Sequence, residues 1–182
     1  MKAVKNAFYV ILTIASYSFI PVKITDSKLT RIYKHLDAYS DGALKLKYII
    51  IIDYNKSFLK RRLWVIEKAT KEVVINCHVS HAKNSGGLWA TEFSNMEGSE
   101  KSCAGVFKTL NSYKSSFGKG KYQIGMRIEG LDKQLNSNAL KRNIVFHCGY
   151  TAWSRGCFVT TPKNNKKIIE LTKEGNLVYV LT

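Results

Sequence analysis

The stretch Asn143-Ile144-Val145-Phe146-His147-Cys148-Gly149, followed closely by Ser154-Arg155-Gly156-Cys157, carries the reading of this chain. Its first half is a β-branched and aromatic run ending in a histidine, the pattern of a buried strand. Its second half sets a glycine directly before a cysteine, so the backbone can turn sharply and aim successive amides at the sulfur and at an acyl oxygen beside it. A thiol attacks only as thiolate, which a nearby imidazole favours. His147 and Cys157 are therefore expected as a base and nucleophile pair. A structural strand-end histidine and an inert core cysteine are the competing assignments when the residues are read alone.

Working outward, the chain on both sides is predominantly β. Tyr48–Ile52 is a continuous apolar run, and Leu63–Ile66 and Val73–Val79 flank the polar, turn-like segment 67–72, so these two runs predict a hairpin. Further strands are expected at Val106–Leu110, Tyr122–Ile128, Asn143–His147 and Leu177–Leu181, with a short helix over Leu131–Arg142. Two peripheral helices are predicted. Leu29, Ile32, Tyr33 and Leu36 repeat at helical spacing over residues 25–42, with Thr25 or Asp26 as cap, and Pro162 opens a second helix that stops at Gly175. No repeat or Pro- or Ser-rich linker interrupts this pattern, so one mostly β domain with peripheral α-helices is expected.

Lys2 and Lys5 precede the apolar run Ala7–Ala15, and small residues follow at Ser16 and Ser18. That order predicts a secretory signal peptide over residues 1–20, a helical segment over 21–47 and a catalytic domain over 48–182. The run is too short and too broken by Thr13, Ser16 and Ser18 for a spanning helix, which needs about 20 apolar residues. An exported protein of the periplasm or cell envelope is expected. The chain has 29 Lys and Arg against 13 Asp and Glu, a net charge of +16 that would attract any polyanion. Tyr113, Phe117 and Tyr122 could stack on single-stranded bases, but the charges are dispersed and no nucleic-acid-binding signature occurs, so no nucleic acid partner is expected. Four cysteines without Cys-x-x-Cys spacing support neither a disulfide scaffold nor a zinc ribbon.

Residues 48–182 resemble the L,D-transpeptidase (YkuD-like) catalytic domain, and more closely its murein L,D-transpeptidase branch. The resemblance runs through Tyr48–Tyr54, Arg62–Ile66, Val79-Ser80-His81-Ala82-Lys83-Asn84-Ser85-Gly86, Ala90–Asn95 and Ser102–Phe107. It continues through Gly130-Leu131-Asp132 and Asn138-Ala139 to the His147 strand and Ser154-Arg155-Gly156-Cys157. It implies a β-sandwich or barrel-like catalytic fold and acyl transfer on peptidoglycan stem peptides. Cys157 would attack the carbonyl after diaminopimelate, D-Ala would leave, and an amine would take the acyl group. His147 would move the proton, Ser154 would orient the site, and backbone N–H groups of Arg155, Gly156 and Cys157 would hold the oxyanion. His81 and Gly149 are the expected substrate contacts, with no cofactor and no metal. The positive charge then reads as attraction to an anionic cell-wall surface.

The chain departs from the family pattern in three places. Cys148 follows His147 where glycine is usual, the His147-to-Cys157 connection is short, and Val159 replaces an arginine common two residues past the nucleophile. These departures keep an alternative open, a catalytically inactive exported peptidoglycan-binding protein of the same fold. A zinc site of His81, His147, Cys148 and Cys157 is disfavoured, because adjacent strand residues such as His147 and Cys148 point apart. Gly118-Lys119-Gly120-Lys121 lacks phosphate-loop spacing and reads as a basic turn.

Overall fold

The run Tyr48-Ile49-Ile50-Ile51-Ile52-Asp53 is apolar at consecutive positions up to Ile52 because both of its faces are covered. A computed structural model describes residues 26–39 and 47–182; the predicted leader lies outside the described residues. In it this run is strand β1, and Ile50 and Ile52 enter one core while Ile49 and Ile51 enter another. The second core is closed by helix α1 (Asp26–Asp37), whose Leu29, Ile32 and Leu36 form the stripe that the spacing predicts.

The remaining elements are β2 (Leu63–Glu67), β3 (Val73–Cys77), β4 (His81–Ala82), β5 (Gly105–Lys114), β6 (Ile124–Gly130), β7 (Val145–Cys148), β8 (Trp153–Ser154), β9 (Phe158–Thr160), α2 (Pro162–Thr172) and β10 (Leu177–Leu181). Eight strands form one sheet in the order β3-β2-β1-β10-β5-β6-β7-β9, and β4 and β8 pair separately. Helix α2 buries Ile168 and Ile169 in the first core and touches β3 at one end of the sheet and β9 at the other. The sheet therefore curls around α2 into a barrel-like wall. The predicted β2–β3 hairpin is present, with β1/β10 and β7/β9 as parallel pairs.

Two expectations are corrected. The Val73–Val79 run breaks after Cys77, because the buried Arg62 guanidinium takes the Val79 carbonyl through Nε (3.1 Å) and Nη2 (2.9 Å). The chain bends there and resumes as β4. The predicted helix over Leu131–Arg142 is instead a succession of turns. Asn136 is fully buried, its Nδ2 donates to the carbonyls of Ala104 and Val106, and its Oδ1 accepts the Asp132 amide, so a side chain holds the backbone in a non-helical path. Val106–Leu110 is the core of a longer strand, β5, whose register shifts between Thr109 and Ser112 against β6.

Candidate active site

In the parallel β7/β9 pair, Phe146 faces Phe158 and His147 faces Val159. Side chains alternate along a strand, so Val145, His147 and Val159 share one face while Phe146 and Phe158 point into the core, their rings 4.9 Å apart. Cys157, one residue ahead of β9, has the parity of Val159. It lines the same cleft of about 800 Å³ as His147, Val145 and Val159. Cys148 points the other way, buried, with its sulfur 3.5 Å from the Tyr122 carbonyl.

The His147 ring is fixed on two sides. Its Nδ1 lies 3.1 Å from the Cys148 carbonyl, which can only accept, so Nδ1 carries the proton and Nε2 keeps its lone pair. Phe117 lies flat on the imidazole, with centroids 3.9 Å apart. Burial pushes the His147 pKa below the ordinary imidazole value, and the hydrogen bond to the Cys148 carbonyl offsets part of this. Burial pushes the Cys157 thiol up, against the opposing pull of the Val145 amide and the Arg142 charge. Both shifts favour the uncharged forms, a thiol and a neutral imidazole.

The backbone that carries Cys157 is clamped. Ser80, buried, accepts the Val159 amide on its Oγ at 3.1 Å and lies 3.5 Å from the Cys157 carbonyl. Gly156 has φ +118°, and a Cβ there would meet Ile144 Cδ1 at 2.5 Å and the Lys101 carbonyl at 3.2 Å. Only glycine fits this turn. Ser154, held by the parallel pairing of β8 with β4, accepts the Gly156 amide on its Oγ at 3.1 Å. That amide, expected at the oxyanion, is therefore engaged with Ser154, which leaves Arg155 and Cys157 as the candidate donors. Ser154 and Arg155 both line the cleft.

His81, expected at the cleft wall, is instead fully buried and absent from it. Its Nδ1 accepts from Arg62 Nη2 at 2.8 Å and its Nε2 donates to the Gly86 carbonyl at 3.0 Å, so neither nitrogen can reach a substrate. Burial also lowers its pKa. The role this geometry supports is architectural. His78, by contrast, is exposed. Gly149 does not line the cleft but a smaller neighbouring cavity, with its amide on the Thr160 carbonyl at 2.9 Å. Of the four residues weighed as a zinc site, His147 and Cys157 share the cleft while His81 is absent from it and Cys148 faces away, and among the described residues no group of three or more His, Cys, Asp or Glu could hold a metal ion.

Several further residues shape the cleft without a local sequence pattern that marks them. Arg142 donates to the Ser94 and Lys101 carbonyls at 2.5 and 2.6 Å and to the Cys103 sulfur at 2.7 Å, tying the 94–103 loop to the site. Arg127 sits opposite Val145 across β6 and β7, its guanidinium stacked on Tyr113 at 4.6 Å. Burial, and then the Cys157 sulfur, push the Tyr113 phenol up. Lys83 and Arg155 meet at Glu100, 2.5 and 3.3 Å away. Among the described residues the cleft is lined by Lys83, Arg127, Arg142 and Arg155 and by no carboxylate. Tyr113 and Phe117, weighed as nucleic-acid stackers, are part of this wall.

Comparison with known proteins agrees with the fold. Among solved structures, a mutant of the helical cell shape determining protein Pgp2 of Campylobacter jejuni matches with a TM-score of 0.51, at 10% identity over 75% of this chain and 48% of that one. An L,D-transpeptidase from Mycobacterium smegmatis matches at 0.49, with 12% identity over 75% and 59%. One from Stackebrandtia nassauensis matches at 0.47, with 15% identity over 83% and 64%. The chain spans less than two thirds of the length of each. No curated protein matches it. The family model of the L,D-transpeptidase catalytic domain matches residues 22–181, nearly the whole chain, and the chain accordingly belongs to the family of L,D-transpeptidase catalytic domains.

Proposed function

We propose that this chain is a cysteine-dependent acyltransferase acting on peptidoglycan stem tetrapeptides. The observation that carries the reading is the shared face of β7 and β9, which sets a thiol and an imidazole with a free Nε2 lone pair in one cationic cleft. Nε2 of His147 takes the Cys157 proton as the sulfur attacks the carbonyl after diaminopimelate. The C–S bond forms, the amide C–N bond breaks, and the proton passes from His147 to the departing D-Ala amine. An acceptor amine then attacks the thioester, His147 takes its proton, and the thiol is regenerated. The oxyanion sits against the backbone N–H groups of Arg155 and Cys157, a type of contact worth roughly 3–4 kcal/mol per donor.

The acid-free lining supports a stem rich in carboxylates as substrate, with Arg127 as the guanidinium available to a substrate carboxylate. Ser154 orients the turn through Gly156, and His81 supports the cleft from behind rather than touching substrate. The reading places the protein outside the cytoplasm, with residues 1–20 as leader. Among the described residues no helix is long and apolar enough to cross a membrane.

The test is incubation with a disaccharide tetrapeptide bearing diaminopimelate, followed by mass spectrometry. An acyl adduct on Cys157 with release of D-Ala is expected, absent in Cys157→Ala and strongly slowed in His147→Ala. Full activity in Cys157→Ala ends the mechanism. Binding of peptidoglycan without adduct or product assigns the chain a wall-binding role instead.

A further inference from the structure

Beside the cleft lies a second cavity of about 310 Å³, at the low end of the size of small-molecule sites, roughly 300–1,000 Å³. The two share Thr151 and Val159, so one molecule can occupy both. Their chemistry differs sharply. Among the described residues no Lys, Arg, Asp or Glu lines the second cavity, whereas four cations line the first.

What the second cavity offers is aromatic surface and hydroxyls. Phe58 and Tyr150 line it, and Trp153 of the cleft wall packs edge-on against Phe58, with ring centroids 5.6 Å apart. Tyr150 is 87% exposed and Trp153 46% exposed, although both rings are large and apolar. Exposed aromatics grouped beside a cavity mark a recognition surface. The polar lining includes Ser80, Thr151, Thr160, Thr161 and His78, whose Nδ1 donates to the Phe58 carbonyl at 3.2 Å. Thr160 Oγ1 is buried and, among the described residues, has no hydrogen-bond partner.

We propose that this cavity is a glycan subsite that seats the neutral sugar backbone of peptidoglycan while the cationic cleft holds the attached stem. The inference rests on the peptidoglycan reading above. A hexosamine ring has a C–H face that stacks on aromatic rings and an edge of hydroxyl and amide groups that pair with threonine hydroxyls. An uncharged aromatic cavity suits that ligand, and it does not suit an acidic peptide. The short connection from Gly149 to Trp153, which carries Tyr150, Thr151 and Trp153, then has a use: it is the partition between sugar and peptide.

The experiment titrates the full chain with a stemless tetramer of β-1,4-linked N-acetylglucosamine and follows the Trp153 indole by NMR. Saturable shifts are expected, with at least tenfold weaker binding in Tyr150→Ala and in Phe58→Ala. Tyr150 is nearly free in solvent, so its replacement leaves thermal unfolding unchanged and separates recognition from folding. Absence of saturable binding, wild-type affinity in both variants, or displacement of the tetramer by a sugar-free tetrapeptide overturns the subsite. The tetramer has no acyl group, so failure here is distinct from failure of the transfer reaction, which shows as a missing Cys157 adduct with the stem peptide.

Discussion

Phe117 lies against His147 with the ring planes inclined by only 18° and covers the imidazole from solvent. Phe117 is itself half exposed, at the end of a turn in which Gly118 approaches Cys148. Removing it in Phe117→Ala rehydrates the imidazole, which favours the charged form. The His147 titration followed by NMR should therefore move up, towards the ordinary value of 6.5, and the acid limb of kcat/KM should move with it. An unchanged His147 titration would show that Phe117 does not shield the base.

Stability should fall on mild acidification. Both His81 and His147 have folded pKa values below 6.5, chiefly from burial. Below 6.5 the unfolded chain binds protons that the folded chain refuses, so stability is full above that value and is lost as pH falls towards the folded pKa values. Urea unfolding at pH 7.5 and 5.5 tests this, since carboxylates of ordinary pKa stay ionised at both. A midpoint that does not drop at pH 5.5 contradicts the assignment.

Arg127 gives the substrate side of the site a measurable handle. It is held by Tyr113 and faces the cleft opposite Val145. Arg127→Gln should raise KM for the diaminopimelate stem by about tenfold, a change of about 1.4 kcal/mol, with a smaller effect on kcat. It should also flatten the salt dependence of kcat/KM, because a screened charge has been removed. Equal KM values for the two proteins would remove Arg127 from substrate recognition.

Gly156→Ala tests the turn that presents the thiol. The new methyl meets Ile144 and Lys101 in a backbone conformation that L side chains rarely adopt. A loss of about 1–3 kcal/mol in unfolding free energy is expected, together with slower acylation of Cys157. Wild-type stability and rate in this variant would show that the turn tolerates a side chain.

Much of this was legible in local sequence pattern. The Ile49–Ile52 run, the α1 stripe, the Pro162 start and the Gly156-Cys157 turn each depend on neighbours in the chain. What escaped depends on partners far along it. Arg62 reads as one of three consecutive surface charges, yet it is fully buried and breaks β3 from below. Arg142, Arg127 and Phe117 become site residues only once β6, β7 and the 94–103 loop are in register. The resemblance puts His81 among the substrate contacts, and only the positions of Arg62 and Gly86 show both its nitrogens occupied.

The opposed directions of His147 and Cys148 have a practical side. Cys77, Cys103 and Cys148 are buried, and Cys157 is the one cysteine that opens to solvent. An alkylating reagent applied to the native protein should thus label at one equivalent and stop, and reach four equivalents only after denaturation. Native labelling becomes a direct count of chains with an open, reduced Cys157 in any preparation. It also means that a thiol-directed inhibitor of this protein has a single address, reached through a corridor of arginine and lysine that favours anionic reagents.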